Sequence, residues 1–109
     1  VCAVSLRNLD LRDVDVLINA TTVGMRAADG LLVDPRTLRR GMMVYDLVYH
    51  RQTPLVREAS LRGCVAANGG SMLLYQAGES LRLWLHRAPP LAAMRRALEH
   101  EVTVTLSRT

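Results

Sequence analysis

Apolar residues in this chain fall into short blocks separated by polar or glycine-containing turns. Residues 14–20, Val14-Asp15-Val16-Leu17-Ile18-Asn19-Ala20, are rich in branched apolar side chains and read as a buried β-strand. Thr21-Thr22-Val23-Gly24 breaks that strand, and a loop continues through Asp29-Gly30. Asp34-Pro35 combines a capping side chain with a first-turn proline, and Gly41 offers a stop, which predicts a short helix over 35–40. Residues 42–49 form a second apolar strand ending in Tyr45-Asp46-Leu47-Val48-Tyr49. Thr53-Pro54 repeats the cap-and-proline signal and opens a helix with Leu55, Val56 and Ala59 on its inner face, closed by Gly63. Cys64-Val65-Ala66-Ala67 reads as a third short strand, followed by an Asn68-Gly69-Gly70 turn. Ser71 is then the expected cap of a longer helix from Met72 to Leu85, with Met72, Leu73, Gln76, Ser80, Leu83 and Trp84 on one broad face. Pro89-Pro90 breaks the chain and starts a last helix over 91–101, and Val1 to Val4 reads as one more short strand.

Strands alternating with helices imply crossover connections and a mainly parallel sheet of the α/β class. In such sheets ligands bind beyond the carboxyl ends of the strands. That rule marks three segments: Asn19 to Met25, Asp46 to Thr53, and Asn68 to Met72. The polar and glycine residues concentrate there, but the pattern alone assigns no chemistry.

Composition narrows the function classes. With 109 residues the chain is one domain or part of one, and 50% hydrophobic with 22% charged residues is a globular composition. No apolar run approaches the roughly 20 residues of a membrane-spanning helix, and no signal peptide is visible at Val1-Cys2-Ala3-Val4. All 14 basic residues are arginine, so a mechanism that needs a lysine amine cannot rest on this chain alone. The net charge of +4 reads as a solvated basic surface, or one that favours anionic ligands, rather than as a nucleic-acid interface, because the arginines are scattered and one Trp, three Tyr and no Phe supply a poor stacking surface. Cys2 and Cys64 form no motif, and the expectation is two reduced, mostly buried thiols in a cytoplasmic protein. His50, His86 and His100 lack metal-ligand spacing, so no metal site is expected; His86 and His100 are placed near helix ends on the surface.

The three strand-end segments also carry a family resemblance. Asn19-Ala20-Thr21-Thr22-Val23-Gly24-Met25 resembles the NATSxGM segment of shikimate dehydrogenases. Tyr45-Asp46-Leu47-Val48-Tyr49 with Thr53-Pro54-Leu55 resembles their YDxxY and TPLL segments, and Gly69-Gly70-Ser71-Met72-Leu73 with Gln76-Ala77 resembles GxxMLxxQA. The resemblance spans residues 13–98 and implies the second half of a Rossmann-like, mainly parallel sheet with flanking helices, ending in two helices. On that reading residues 1–109 are the carboxy-terminal portion of a dinucleotide-binding domain. The family's substrate domain, its catalytic Lys and Asp, and its glycine-rich phosphate loop have no counterpart here, so no catalytic residue is expected in this chain.

What the resemblance implies for single residues follows the same three segments. Thr21, Thr22 and Met25 fall beside an NADP cofactor, with NAD as the variant. Gly69 lets the backbone approach the nicotinamide, and Met72 packs on its ring. Tyr49 and Gln76 contact shikimate or a related hydroxy acid. Read from the residues alone, Thr21 and Thr22 are better explained by a tight turn in which Gly24 supplies an unusual dihedral, Tyr49 is more commonly a half-buried strand-end residue, Met72 fits ordinary core nearly as well, and the alternative for Gln76 is an exposed residue on a helix of different phase. Asp46 is read as an anchor of its strand end, accepting backbone hydrogen bonds. The loop after Tyr49 departs from the family's YNPxxTP: it lacks the proline and is one residue shorter, which opens a role for Arg51 as a carboxylate partner. The implied activity is reversible reduction of 3-dehydroshikimate; the alternatives are an NAD-using quinate/shikimate dehydrogenase and a non-catalytic binding or regulatory module. With the first half of the sheet missing, Val14, Val16, Leu17 and Ile18 are expected on an exposed edge, and the chain is expected to self-associate.

Overall fold

The structure is a computed structural model that describes residues 1–108. Three short strands, β1 (Val16–Asn19), β2 (Met43–Asp46) and β3 (Val65–Asn68), form one sheet in the order β1-β2-β3. Both pairings are parallel, so the α/β class read from the pattern holds. Three helices follow the chain: α1 (Pro54–Leu61), α2 (Gly70–Leu85) and α3 (Leu91–Arg108). None of them is long and apolar enough to cross a membrane.

Alternation along the strands splits the sheet into two unequal faces. On one face Leu17 and Val44 are buried, and they pack with Leu11, Leu38, Met42, Leu55 and Ala59 into the core. Helix α1 covers this face. Its local sequence explains why: Pro54 fixes the first turn, the Thr53 hydroxyl accepts the Val56 N–H, and Leu55, Val56 and Ala59 recur on the buried side. The other face carries Val16, Ile18, Met43 and Val65, which are 50%, 59%, 53% and 64% exposed. No element of the described residues covers it.

Several boundaries differ from the pattern. The helix expected over 35–40 is a 3-10 turn at Pro35–Thr37, because Leu38 adopts extended backbone and enters the core. The second strand stops at Asp46, three residues early, where the side chain of Asp46 accepts the Val48 N–H and turns the chain. Val1 to Val4 forms no strand. Those residues are exposed, and a 3-10 turn capped by Ser5 redirects the chain so that Leu9 and Leu11 reach the core.

The largest revision concerns α2. Ser71 is not its cap; the helix starts at Gly70 after Gly69, and the Asn68 side chain accepts the Gly70 N–H at 3.1 Å. The buried positions are Leu74 and Gly78, so the expected face of Met72, Gln76, Leu83 and Trp84 points outward. The reason is the neighbour. Helix α2 packs on α3, where the missing side chain of Gly78 makes room for Leu91 and Pro89. Helix α3 continues past 101, which puts His100 inside a helix, though still exposed. Cys2 is exposed rather than buried, because its segment packs on nothing; Cys64 is half-buried beside the Arg39 carbonyl.

Candidate functional site

The carboxyl ends of the three strands lie in one row. Asn19 is paired in register with Asp46, and Asp46 with Asn68. The segments leaving that row are 20–25, 47–53 and 69–72, so the topology places the marked segments along one edge of the sheet.

The first segment is a tight turn built by side chains. The Thr21 hydroxyl donates to Asn19 Oδ1 at 2.7 Å and accepts the Val23 N–H at 3.1 Å. Gly24 follows with φ +103°, a conformation that L side chains rarely adopt. The Asp29 carboxylate closes the loop by accepting the N–H groups of Gly24 and Arg26, each at 3.0 Å. The Arg26 amide, with help from that of Gly24, holds the Asp29 carboxyl below the usual carboxylate range. This loop presents Thr22 and Met25 outward, with Met25 48% exposed.

In the second segment Tyr49 is half-exposed and sits edge-on to His50, with ring centroids 5.8 Å apart. His50 Nε2 lies 3.0 Å from the Met25 carbonyl and ties this segment to the first. Between them is an open hollow of about 170 Å³ lined by Ala20, Thr21, Met25, Leu47, Val48, Tyr49 and His50. Its walls are mainly apolar, and it lies beyond the strand ends, where parallel sheets bind ligands. A neighbouring cavity of about 340 Å³ reaches from Tyr49 past Asn68 and Ser71 to Arg95 and Glu99 on α3.

The third segment is set by contact. A Cβ on Gly69 would strike the Leu47 carbonyl, so the residue must be glycine for β3 and α2 to meet the second segment. Met72 and Gln76 are exposed on α2 and line neither cavity. The structure therefore brings Thr21, Met25 and Tyr49 together around one hollow, puts Thr22 beside a separate cavity with Val23, Met25, Arg26 and Asp29, and leaves Met72 and Gln76 on an outward face of α2. Arg51 is half-buried, with its Nε unpartnered. The sequence pattern alone assigns no role to Asp29 or Asn19. A carboxylate five residues beyond Gly24 and an asparagine two before Thr21 are signals only once the turn geometry is known.

Residues 70–99 match the family described as Shikimate 5'-dehydrogenase C-terminal domain. A relative from Rubrobacter xylanophilus, "Shikimate dehydrogenase (NADP(+))", is 48% identical over 89 residues, covering 80% of this chain and 31% of that protein. Among solved structures, a shikimate dehydrogenase in complex with NADP+ superposes with a TM-score of 0.80 at 31% identity, over 87% of this chain and 34% of that one. A quinate dehydrogenase from Corynebacterium glutamicum in complex with NAD gives a TM-score of 0.78 at 31% identity, over 85% of this chain and 34% of that one. The chain thus spans about a third of the length of the relatives it matches. By sequence and by fold, it belongs to the shikimate dehydrogenase family.

Proposed function

We propose that this chain is the carboxy-terminal portion of the dinucleotide-binding domain of a cytoplasmic NADP-dependent shikimate dehydrogenase. The observation that carries this reading is the hollow at the strand ends, where Thr21 and Met25 from one segment face Tyr49 from the next. Its size and apolar walls fit the nicotinamide end of the cofactor, which supplies the hydride when bound. Thr22 and Gly69 belong to segments that leave the same row of strand ends, and Met72 lies on the outward face of α2, so its place beside the cofactor rests on the family resemblance. Tyr49 offers a phenol to the hydroxy acid from the wall of the hollow, and Gln76 offers an amide from the outward face of α2, an assignment that rests on the family resemblance. The chain's own work is then to bind and orient, and the proton is handled by groups outside it. The structural likeness to an NAD-bound quinate dehydrogenase favours, as a second reading, the same site serving NAD and quinate.

The isolated chain is expected to show no turnover of shikimate with either nicotinamide cofactor, and steady turnover by the pure 109-residue chain would refute this assignment. In a protein that carries this chain with its remaining parts, Tyr49→Phe and Gln76→Ala should each lose a polar contact worth roughly 0.5–3 kcal/mol. That corresponds to a fall in kcat/KM of about twofold to more than a hundredfold for the acid, with nucleotide affinity retained. Normal kinetics for the acid combined with weakened nucleotide binding would show that the two residues are misassigned. Apart from those parts, the chain self-associates through the uncovered sheet face and the β1 edge, since both offer more apolar or unpaired surface than soluble monomers carry.

A further inference from the structure

Each strand ends on asparagine or aspartate, and each of the three turns the chain in the same way. Its Oδ1 accepts the N–H two residues on: Asn19 from Thr21 at 3.0 Å, Asp46 from Val48 at 3.1 Å, and Asn68 from Gly70 at 3.1 Å. These bonds satisfy backbone donors where the ladder stops. Asp46 differs from its neighbours in what else it holds. It is fully buried, as are Asn19 and Thr53. Its Oδ1 also accepts from Asn19 Nδ2 at 3.0 Å, and its Oδ2 accepts from the Thr53 hydroxyl at 2.6 Å.

The bonds continue outward on both sides. Asn19 Nδ2 donates to the Val23 carbonyl at 2.9 Å, and Thr53 Oγ1 accepts the Val56 N–H at 3.3 Å. A continuous path therefore runs from the first turn of α1, through the carboxylate at the end of β2, to the Thr21–Val23 turn after β1. Capping α1 requires only Thr53. Burying a carboxylate whose bonds span two strand ends is costly unless every oxygen is satisfied, and here both are. The turn and the cap also touch: a Cβ on Gly24 would lie 3.1 Å from Thr53 Cγ2.

We propose that Asp46 is a positioning residue whose buried carboxylate locks the turn 19–25 to the segment 47–53, so that the two loops are set as a single unit. Naming the first loop the nicotinamide side and the second the substrate side rests on the function proposed above. The locking does not, and its test uses no activity. The substitution Thr53→Val keeps the shape of the side chain, including its contact with Gly24, and removes only the hydroxyl. Amide hydrogen exchange in the 109-residue chain should then accelerate roughly tenfold or more at Val48 and at Thr21, as well as at the capped Val56. Exchange at Val65, whose N–H is bonded to the Met42 carbonyl at 2.8 Å, should stay unchanged and report the intact sheet. Thr53→Ser should restore all three rates. Acceleration confined to Val56, or an equal acceleration at every site including Val65, would overturn the proposal. Asp46→Asn provides the second arm: it keeps the Oδ1 bonds but leaves the Thr53 hydroxyl proton without an acceptor, and should reproduce the Thr53→Val pattern. Absence of shikimate turnover in a complete protein would sink the functional reading and leave this result standing.

Discussion

The two faces of the sheet both carry apolar side chains and meet opposite fates. Val44 is buried and its neighbour Met43 is half-exposed; Leu17 is buried and Ile18 is 59% exposed. Strands apolar on both faces are the mark of a parallel sheet covered on both sides. The described residues supply α1, the 3-10 turn at Pro35–Thr37 and the Leu9–Leu11 segment for one face, and no element for the other. Each strand is thus apolar on a face that the described residues leave uncovered. The same holds for α2, whose Leu74 and Gly78 pack on α3 while Leu83 and Trp84 stay in solvent.

The sharpest way to break the covered side is at its junction with the third segment. Gly69→Ala puts a methyl group into the Leu47 backbone, where no flexible side chain can yield. The cost should lie at or above the upper end of the ~1–3 kcal/mol typical of overpacking, a large share of the stability of a small domain. Denaturant unfolding of the variant should show a large loss of stability or no folded baseline. A variant as stable as the parent would mean that β3 and α2 do not approach the second segment as described.

The next test compares adjacent residues on opposite faces. Leu17→Ala should cost about 2–5 kcal/mol, because the side chain leaves a cavity in the core. Ile18→Ala should cost about 0.5 kcal/mol or less in dilute solution, where its face is wet. The difference should shrink as concentration rises, since self-association would bury Ile18. Sedimentation equilibrium then checks the surface directly: Ile18→Lys should weaken association by about tenfold or more by placing a charge in the contact. Equal costs for Leu17→Ala and Ile18→Ala in a dilute monomer would show that the outer face is already covered.

What was legible in the sequence follows the same division. The pattern located β1, β2, β3 and α1 because their neighbours lie within the chain, and Thr53-Pro54 fixed where α1 begins. It misplaced the buried face of α2 because that helix packs on α3 and not on the sheet, a choice made by Gly78 and Pro89 in tertiary contact. It turned 35–40 into a helix because local capping signals do not register the demand of the core for Leu38. At the site, the three segments and the edge they share were readable from polar and glycine positions. The cross-strand bonds of Asn19, Asp46 and Thr53 were not, because they join residues 27 and 7 positions apart whose partners only the register decides.

The smallest effect lies at the rim of the covered face. Asp34 caps the 3-10 turn that leads Leu38 into the core: its carboxylate accepts the Arg36 N–H at 2.9 Å and receives the Arg36 guanidinium. The hydrogen bonds from the Arg36 side chain, then from its backbone, lower the Asp34 carboxyl from 3.8 to about 2. A carboxyl with a depressed folded-state pKa contributes stability that is fully present above its unfolded value. That contribution is lost as pH falls from about 4 through about 2. Because Asp34 and Arg36 are well exposed, solvent and salt screen the pair and the loss should be small. NMR titration of the Asp34 carboxyl should give a midpoint near 2 at low salt, and added salt should move it toward the ordinary value. The turn at 35–37 should loosen over the same pH range while Leu17 and Val44 stay protected. An ordinary midpoint with an unchanged turn would show that Leu38 is held by the core alone, and the rim of the covered face would then owe nothing to the cap.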